Sequence, residues 1–203
     1  MQPSSWRLVH RRLGISLALF FLVAAGTGFL RANAAWYWKK RQVTAATCLE
    51  APPRVALPEV LSLLRKRFGD GVRIKQVLLK IELGGPCYVA QLHEPPGQSV
   101  LMDGGTGEIL SPLTADLARK MALQHVPDDW TLQSVTLVEA YKPRKAARAA
   151  PAFRVAFGDD RRTVLYLDRD TGAIVDELDD LKRFGVWIAR LHEWDFGELK
   201  RPM

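Results

Sequence analysis

The chain has 203 residues, a mass of 22.8 kDa and a formal net charge of +7, from 29 Lys and Arg against 22 Asp and Glu. That length holds one ordinary domain or two small ones and excludes a large multidomain enzyme. The excess charge sits in residues 1–41, where Arg7, Arg11, Arg12, Arg31, Lys39, Lys40 and Arg41 are accompanied by no acidic residue; the rest of the chain is neutral, which argues for a membrane surface and against a nucleic-acid partner.

Residues 1–12 read as a short basic N-terminus. From Leu13 to Leu30 the sequence LGISLALFFLVAAGTGFL carries no charge, and as a helix it spans about 27 Å, close to a hydrocarbon core. Residues 13–38 therefore read as a transmembrane helix with an interfacial belt, closed by Trp36, Tyr37 and Trp38 and followed by Lys39, Lys40 and Arg41. A cleaved signal peptide is the competing reading, through the A-x-A site Ala32-Asn33-Ala34. The apolar run exceeds the usual length of roughly 7–15 residues, and Arg31 stands just before that site. Arg11-Arg12 gives a weak twin-arginine pattern, because Leu-Gly-Ile follows it. Both readings export the body, and an anchor makes the lipid bilayer a partner. Cation counting leaves the orientation tied, with Arg7, Arg11 and Arg12 before the span and Arg31, Lys39, Lys40 and Arg41 after it. Gly14 and Ala18 stand four apart, as do Ala24 and Gly28, which opens helix faces to a second helix.

After a linker over 39–56, the body matches itself at a shift of 65. Pro86 pairs with Pro151, Tyr88 with Phe153, Leu92 with Phe157, Asp103 with Asp168, Thr106 with Thr171, Gly107 with Gly172 and Ile109 with Ile174. Each copy reads as alternating run, polar turn, second run, Asp-x-x-Thr-Gly turn and short apolar return, the pattern of a β-meander. Upstream, Leu57–Phe68 and Leu113–His125 carry helical stripes, and Val72–Ile81 and Leu132–Tyr141 read as strands. The expected fold is α+β: one N-terminal transmembrane helix, then two helix-plus-antiparallel-sheet repeats over 57–112 and 113–177. Cys48 and Cys87 fall in the exported part, where they either pair or stay as two unpaired small residues.

Asp103 and Asp168 suggest a metal loop at first sight. The loop Asp103-Gly104-Gly105-Thr106-Gly107 has a single carboxylate, whereas calcium takes six or more oxygens, so both loops read as hairpin turns and no metal is assigned. The basic stretch Lys142–Arg148 reads as a solvated hairpin tip or as a contact for anionic lipid or an acidic partner. Residues 178–203 form a C-terminal amphipathic helix and tail. Leu181, Phe184, Ile188 and Leu191 make its stripe over Leu178–Trp194, and Asp176-Glu177 and Asp179-Asp180 stand where a helix dipole favours acids. Trp187, Trp194 and Phe196 leave large apolar surface near the chain's end, which points to docking against another membrane protein or a second copy of the chain.

The layout resembles the PepSY-associated transmembrane proteins of bacteria. Trp6-Arg7-Leu8-Val9-His10-Arg11-Arg12-Leu13-Gly14 opens the membrane helix and Gly26-Thr27-Gly28 closes it; two PepSY-like units each end in the Asp-x-x-Thr-Gly turn, and Leu191-His192-Glu193-Trp194-Asp195-Phe196-Gly197 stands near the C-terminus. The resemblance implies an inner-membrane protein with a cytoplasmic N-terminus and a periplasmic tandem PepSY-like body. It also implies a binding, regulatory or assembly role at the cell envelope. Larger relatives with four membrane helices look like ferric-siderophore reductases that hold haem b through histidines near helix ends. Those continue into further membrane helices, whereas this sequence stops at Met203, as a natural short form or a truncated one. By that analogy His10 and His192 are the candidate haem ligands, and an enzymatic role would be a haem-dependent membrane reductase acting with a partner. Across a membrane about 30 Å thick one chain could not clamp one haem between them, so haem needs a partner's histidine. His93 and His125 read as structural or exposed. No nucleophile elbow, His-Glu-x-x-His, phosphate loop or dinucleotide-binding glycine pattern occurs, so a binding module is expected in preference to an enzyme.

Overall fold

The computed structural model describes residues 3–33, 52–93, 98–143 and 146–193. The aromatic belt at 36–38, Cys48, Trp194 and Phe196 lie outside the described residues. The chain divides into two compact units, one of residues 1–41 with 179–203 and one of residues 42–178. Both halves of the body thus belong to the second unit.

That unit begins with α2 (Leu57–Phe68), helical because Pro58 suits the first turn and Val60 and Leu64 bury one stripe; Gly69, at φ 94°, ends it. The strands β1 (Ile74–Glu82), β2 (Gly85–Leu92) and β3 (Ser99–Asp103) form an antiparallel sheet in that order. Then α3 (Ala115–Gln124) starts at Thr114, whose hydroxyl accepts the Leu117 N–H at 3.3 Å. A second antiparallel sheet follows, in the order β4 (Leu132–Tyr141), β5 (Ala150–Phe157), β6 (Val164–Asp168), β7 (Ile174–Leu178). The architecture is α+β, with an N-terminal apolar helix and two antiparallel sheets.

Three boundaries differ from the sequence reading. The first strand runs Ile74–Glu82 where Val72–Ile81 was expected, since Val72 closes onto Gly69 in the turn after α2. The second helix is shorter at both ends than Leu113–His125, because Leu113 hydrogen-bonds the Arg169 carbonyl and His125 is a C-cap. Asp176 and Glu177 lie in β7, paired with Tyr166 and Leu165, and do not open a helix. Tyr141 supplies the reason: its hydroxyl donates to Asp176 at 2.6 Å and its ring stacks on Tyr166 at 3.7 Å, which fixes the acid on the sheet.

The two halves correspond pair by pair. Cys87↔Asp103, Tyr88↔Met102 and Gln91↔Ser99 recur 65 positions on as Ala152↔Asp168, Phe153↔Leu167 and Ala156↔Val164. The helix and first strand follow a different offset, 58, as in Ile74↔Leu92 against Leu132↔Phe157. The longer β4–β5 connection absorbs the difference.

The turn chemistry repeats as well. Asp103 Oδ1 accepts the N–H groups of Gly105 at 2.7 Å and Thr106 at 2.8 Å; Asp168 Oδ1 accepts those of Asp170 at 3.1 Å and Thr171 at 2.8 Å. Gly107 and Gly172 then take φ of 76° and 68°, conformations that strain any residue with a Cβ. Space enforces the same choice. A Cβ at Gly107 would lie 3.0 Å from Leu63 of α2, and one at Gly172 would overlap the Met121 thioether of α3.

Alternation sends Tyr88, Ala90, Val100 and Met102 to one face of the first sheet, where they pack with Val60 and Leu64. Cys87, Val89 and Leu101, on the opposite face, join the larger core in which α3 meets Phe153, Val155, Leu165 and Leu167. The first sheet therefore contributes to both cores, which makes the two halves one unit.

In the other unit, α1 (Pro3–Ala32) is helical from Pro3, so Arg7, Arg11 and Arg12 lie on its first turns. Trp6–Ala32 is long and apolar enough to cross a bilayer, compatible with a single-pass anchor or a signal sequence. The last helix, α4 (Asp180–Glu193), is capped by Asp179, whose Oδ1 accepts the Lys182 N–H at 2.6 Å. It packs along α1, burying Ile188 and Thr27.

Asp103→Ala removes two charge-assisted turn hydrogen bonds and Asp168→Ala three, the third from the Thr171 hydroxyl, and each is expected to cost about 1 kcal/mol. Urea melts read the loss, and added calcium should leave the midpoints where they are.

Candidate functional site

Of the two candidate haem ligands, His10 lies exposed on α1 and His192 lies on α4 against the far end of the same helix. Thr27 is buried, its hydroxyl within reach of the Val23 carbonyl at 2.7 Å and of His192 Nδ1 at 3.2 Å. The imidazole fits there because residue 28 is glycine: a Cβ would come to 3.3 Å from His192 Cε1. His10 and Thr27 are 17 residues apart on one helix, about 26 Å by helical rise. The two histidines do not converge on the two sides of one iron, and no haem chemistry follows from this chain's own pair. The small face of Ala24 and Gly28 is met by α4 of the same chain, whereas Gly14 and Ala18 stay exposed.

Lys80, Glu82 and Gln124, which the sequence leaves unassigned, form with His125 a polar junction between the halves of the second unit. Lys80 Nζ donates to Glu82 Oε1 at 3.0 Å and to the Thr171 carbonyl at 2.9 Å. His125 Nε2 stands 3.6 Å from Glu82 Oε2, an ion-pair distance beyond a hydrogen bond, so that buried oxygen has no hydrogen-bond partner among the described residues. The Leu83 N–H donates to the Gln124 side chain at 2.8 Å. Burial alone would push the Glu82 carboxyl up, but the His125 imidazole and the Lys80 ammonium outweigh it and hold the group below its ordinary value. His125 is thus structural in a specific way, as the counterpart of a buried acid. Nearby, Cys87 is buried with its thiol toward the Glu82 carbonyl; burial, and then the Asp103 charge, push it up to about 11, which keeps it an unreactive thiol at neutral pH.

An open cleft of about 500 Å³ lies on the first half, lined by Leu63, Lys66, Arg67, Gly107, Ile109 and Ser111. Lys66 and Arg67 are exposed and, among the described residues, have neither a hydrogen bond nor an ion pair. Its floor is apolar and its rim cationic.

No protein-family model matches this chain, and no curated protein matches it. Among solved structures it is similar to a "putative lipoprotein" from Clostridium difficile 630, at 11% identity over 64% of this chain and 96% of that one, with a TM-score of 0.26. An overlap this loose carries no argument about fold or function.

Because the folded Glu82 carboxyl is held below its ordinary value, its contribution to stability is fully present above about pH 4.5 and is lost as the pH falls through the folded value. Denaturant unfolding from pH 7 to 3 should show this loss in the wild type and a flatter profile in Glu82→Gln. At pH 7 the variant should be less stable by about 2 kcal/mol.

Proposed function

We propose that the chain is a membrane-anchored envelope protein of the PepSY-associated type, with its body on the periplasmic side, acting as a binding or assembly module. The observation that carries this reading is the packing of α4 on α1. Thr27 is buried in a helix otherwise exposed along most of its length, and His192 sits on its neighbour Gly28. Removal of α1 as a signal peptide would strip the apolar stripe of α4 of this partner, so the contact favours retention of the helix. The paired turns and the recurring 58 and 65 offsets support a tandem of PepSY-like units. The Lys80–Glu82–His125 cluster joins the two halves of the body, which favours a structural part for it over catalysis.

Within the bilayer, the exposed Gly14 and Ala18 offer a face for a helix of another membrane protein or of a second copy. The separation of His10 from His192 gives the haem-carrying alternative no support from within one chain.

Extraction of the full chain from bacterial membranes and sequencing of its N-terminus tests the anchor. The expected product starts at or near Met1 and stays in the membrane fraction after a carbonate wash. A soluble product starting at Ala35 would overturn the reading.

A further inference from the structure

The two halves use the same surface differently. On the second half, the C-terminal end of α3 and the Asp168–Gly172 turn receive the tip of the β1–β2 hairpin: Glu82 against His125, the Leu83 N–H on Gln124, and Lys80 on the Thr171 carbonyl. Leu83 packs there with Met121 and Ile174 on one core. The offsets of 58 for the helix and 65 for the turn carry this receiving surface onto the first half. Gln124 and His125 become Lys66 and Arg67; Met121 becomes Leu63; Gly172 and Ile174 become Gly107 and Ile109. Those residues line the open cleft.

We propose that this cleft is a docking site for an acidic hairpin or extended segment of a partner protein, seated as the β1–β2 hairpin is seated on α3. This deepens the binding role proposed above and rests on it. Chemistry selects the occupant. His125 and Gln124 offer an imidazole and an amide, which can accept as well as donate, whereas Lys66 and Arg67 only donate. The occupant therefore presents carboxylates or carbonyls to them, with an apolar side chain over Leu63 and Ile109. Arg67 in the place of His125 keeps its charge at every physiological pH and takes a carboxylate in two-pronged geometry.

A second copy of this chain is a poor occupant. In that copy Tyr141, paired with Ala150 as Glu82 is paired with Gly85, stands in the place of Glu82, and the chain continues into Lys142, which would meet Lys66 and Arg67 with like charge.

The test uses the full chain in detergent and a fluorescent, backbone-cyclised peptide carrying LKIELGGP, the sequence of residues 79–86. Micromolar binding is expected, weakened at least tenfold by Arg67→Glu and by Lys66→Glu. A peptide with Gln in place of its Glu should be weakened to a similar degree. Both substitutions are on exposed positions, and an unchanged melting temperature shows that the fold is retained. No binding to the wild type, or binding indifferent to both charge changes, overturns the proposal. So does competition by inorganic phosphate at equal concentration, which assigns the cleft to small anions. Arg67-dependent retention on phosphatidylglycerol vesicles without peptide binding assigns it to lipid instead, and a concentration-dependent dimer lost in Arg67→Glu assigns it to a second copy. None of these outcomes alters membrane retention of α1, so failure here and failure of the anchored reading are told apart.

Discussion

The bare α-carbon of one glycine in each half holds helix and sheet together. A turn whose Asp gathers two backbone N–H groups leaves its fifth residue in the left-handed region, and a helix side chain then lies directly on that glycine, Leu63 on Gly107 and Met121 on Gly172. The spacing between helix and sheet is set at this point. The helix stripes that meet Tyr88 and Met102, or Phe153 and Leu167, are in register because the turn has no side chain in the way. A Cβ at either position would strain the backbone and force the Leu63 or Met121 side chain off the turn, so turn conformation and side-chain packing depend on the same atom's absence.

Joining the halves needed a different device. The first sheet buries apolar residues on both faces, which ties it to the second core without direction; the Lys80–Glu82–His125 cluster supplies the direction. Buried charge of this kind is weak as a source of stability and strong as a specifier of alignment, because a misaligned hairpin would leave Glu82 with Lys80 of its own strand but without His125. Leu63, Lys66 and Arg67 stand at the positions of Met121, Gln124 and His125, and the surface that is filled on the second half is open on the first.

Much of the body was legible from residues alone. The shift of 65 found the hairpins because their register is locked by the turn, and Leu57–Phe68 and Leu132–Tyr141 were read at their observed bounds because their stripes are strong. The offset of 58 escaped notice, since helix and first strand are matched by pattern and not by identity. Asp176 and Glu177 were misread because acids before an apolar stripe look like a helix start, and only a distant Tyr141 turns them into strand. Neither Glu82 nor His125 carries a local signal: each looks like the last polar residue of its element, and the pairing exists only once the two halves are packed. His192 was singled out for the chemistry of its ring, whereas its neighbour Gly28 explains its position.

Thr27 and His192 meet across 165 residues of sequence. A ribosome releases the first helix long before the last, and the whole of 42–178 can fold in between. For that interval the Thr27 hydroxyl has only the Val23 and Ala24 carbonyls of its own helix, and the stripe of α4 does not yet exist. The unit made of both chain ends is therefore the last to close, and its closure reports that synthesis has run as far as His192, so that a prematurely ended chain carries an intact middle behind an unclosed first helix.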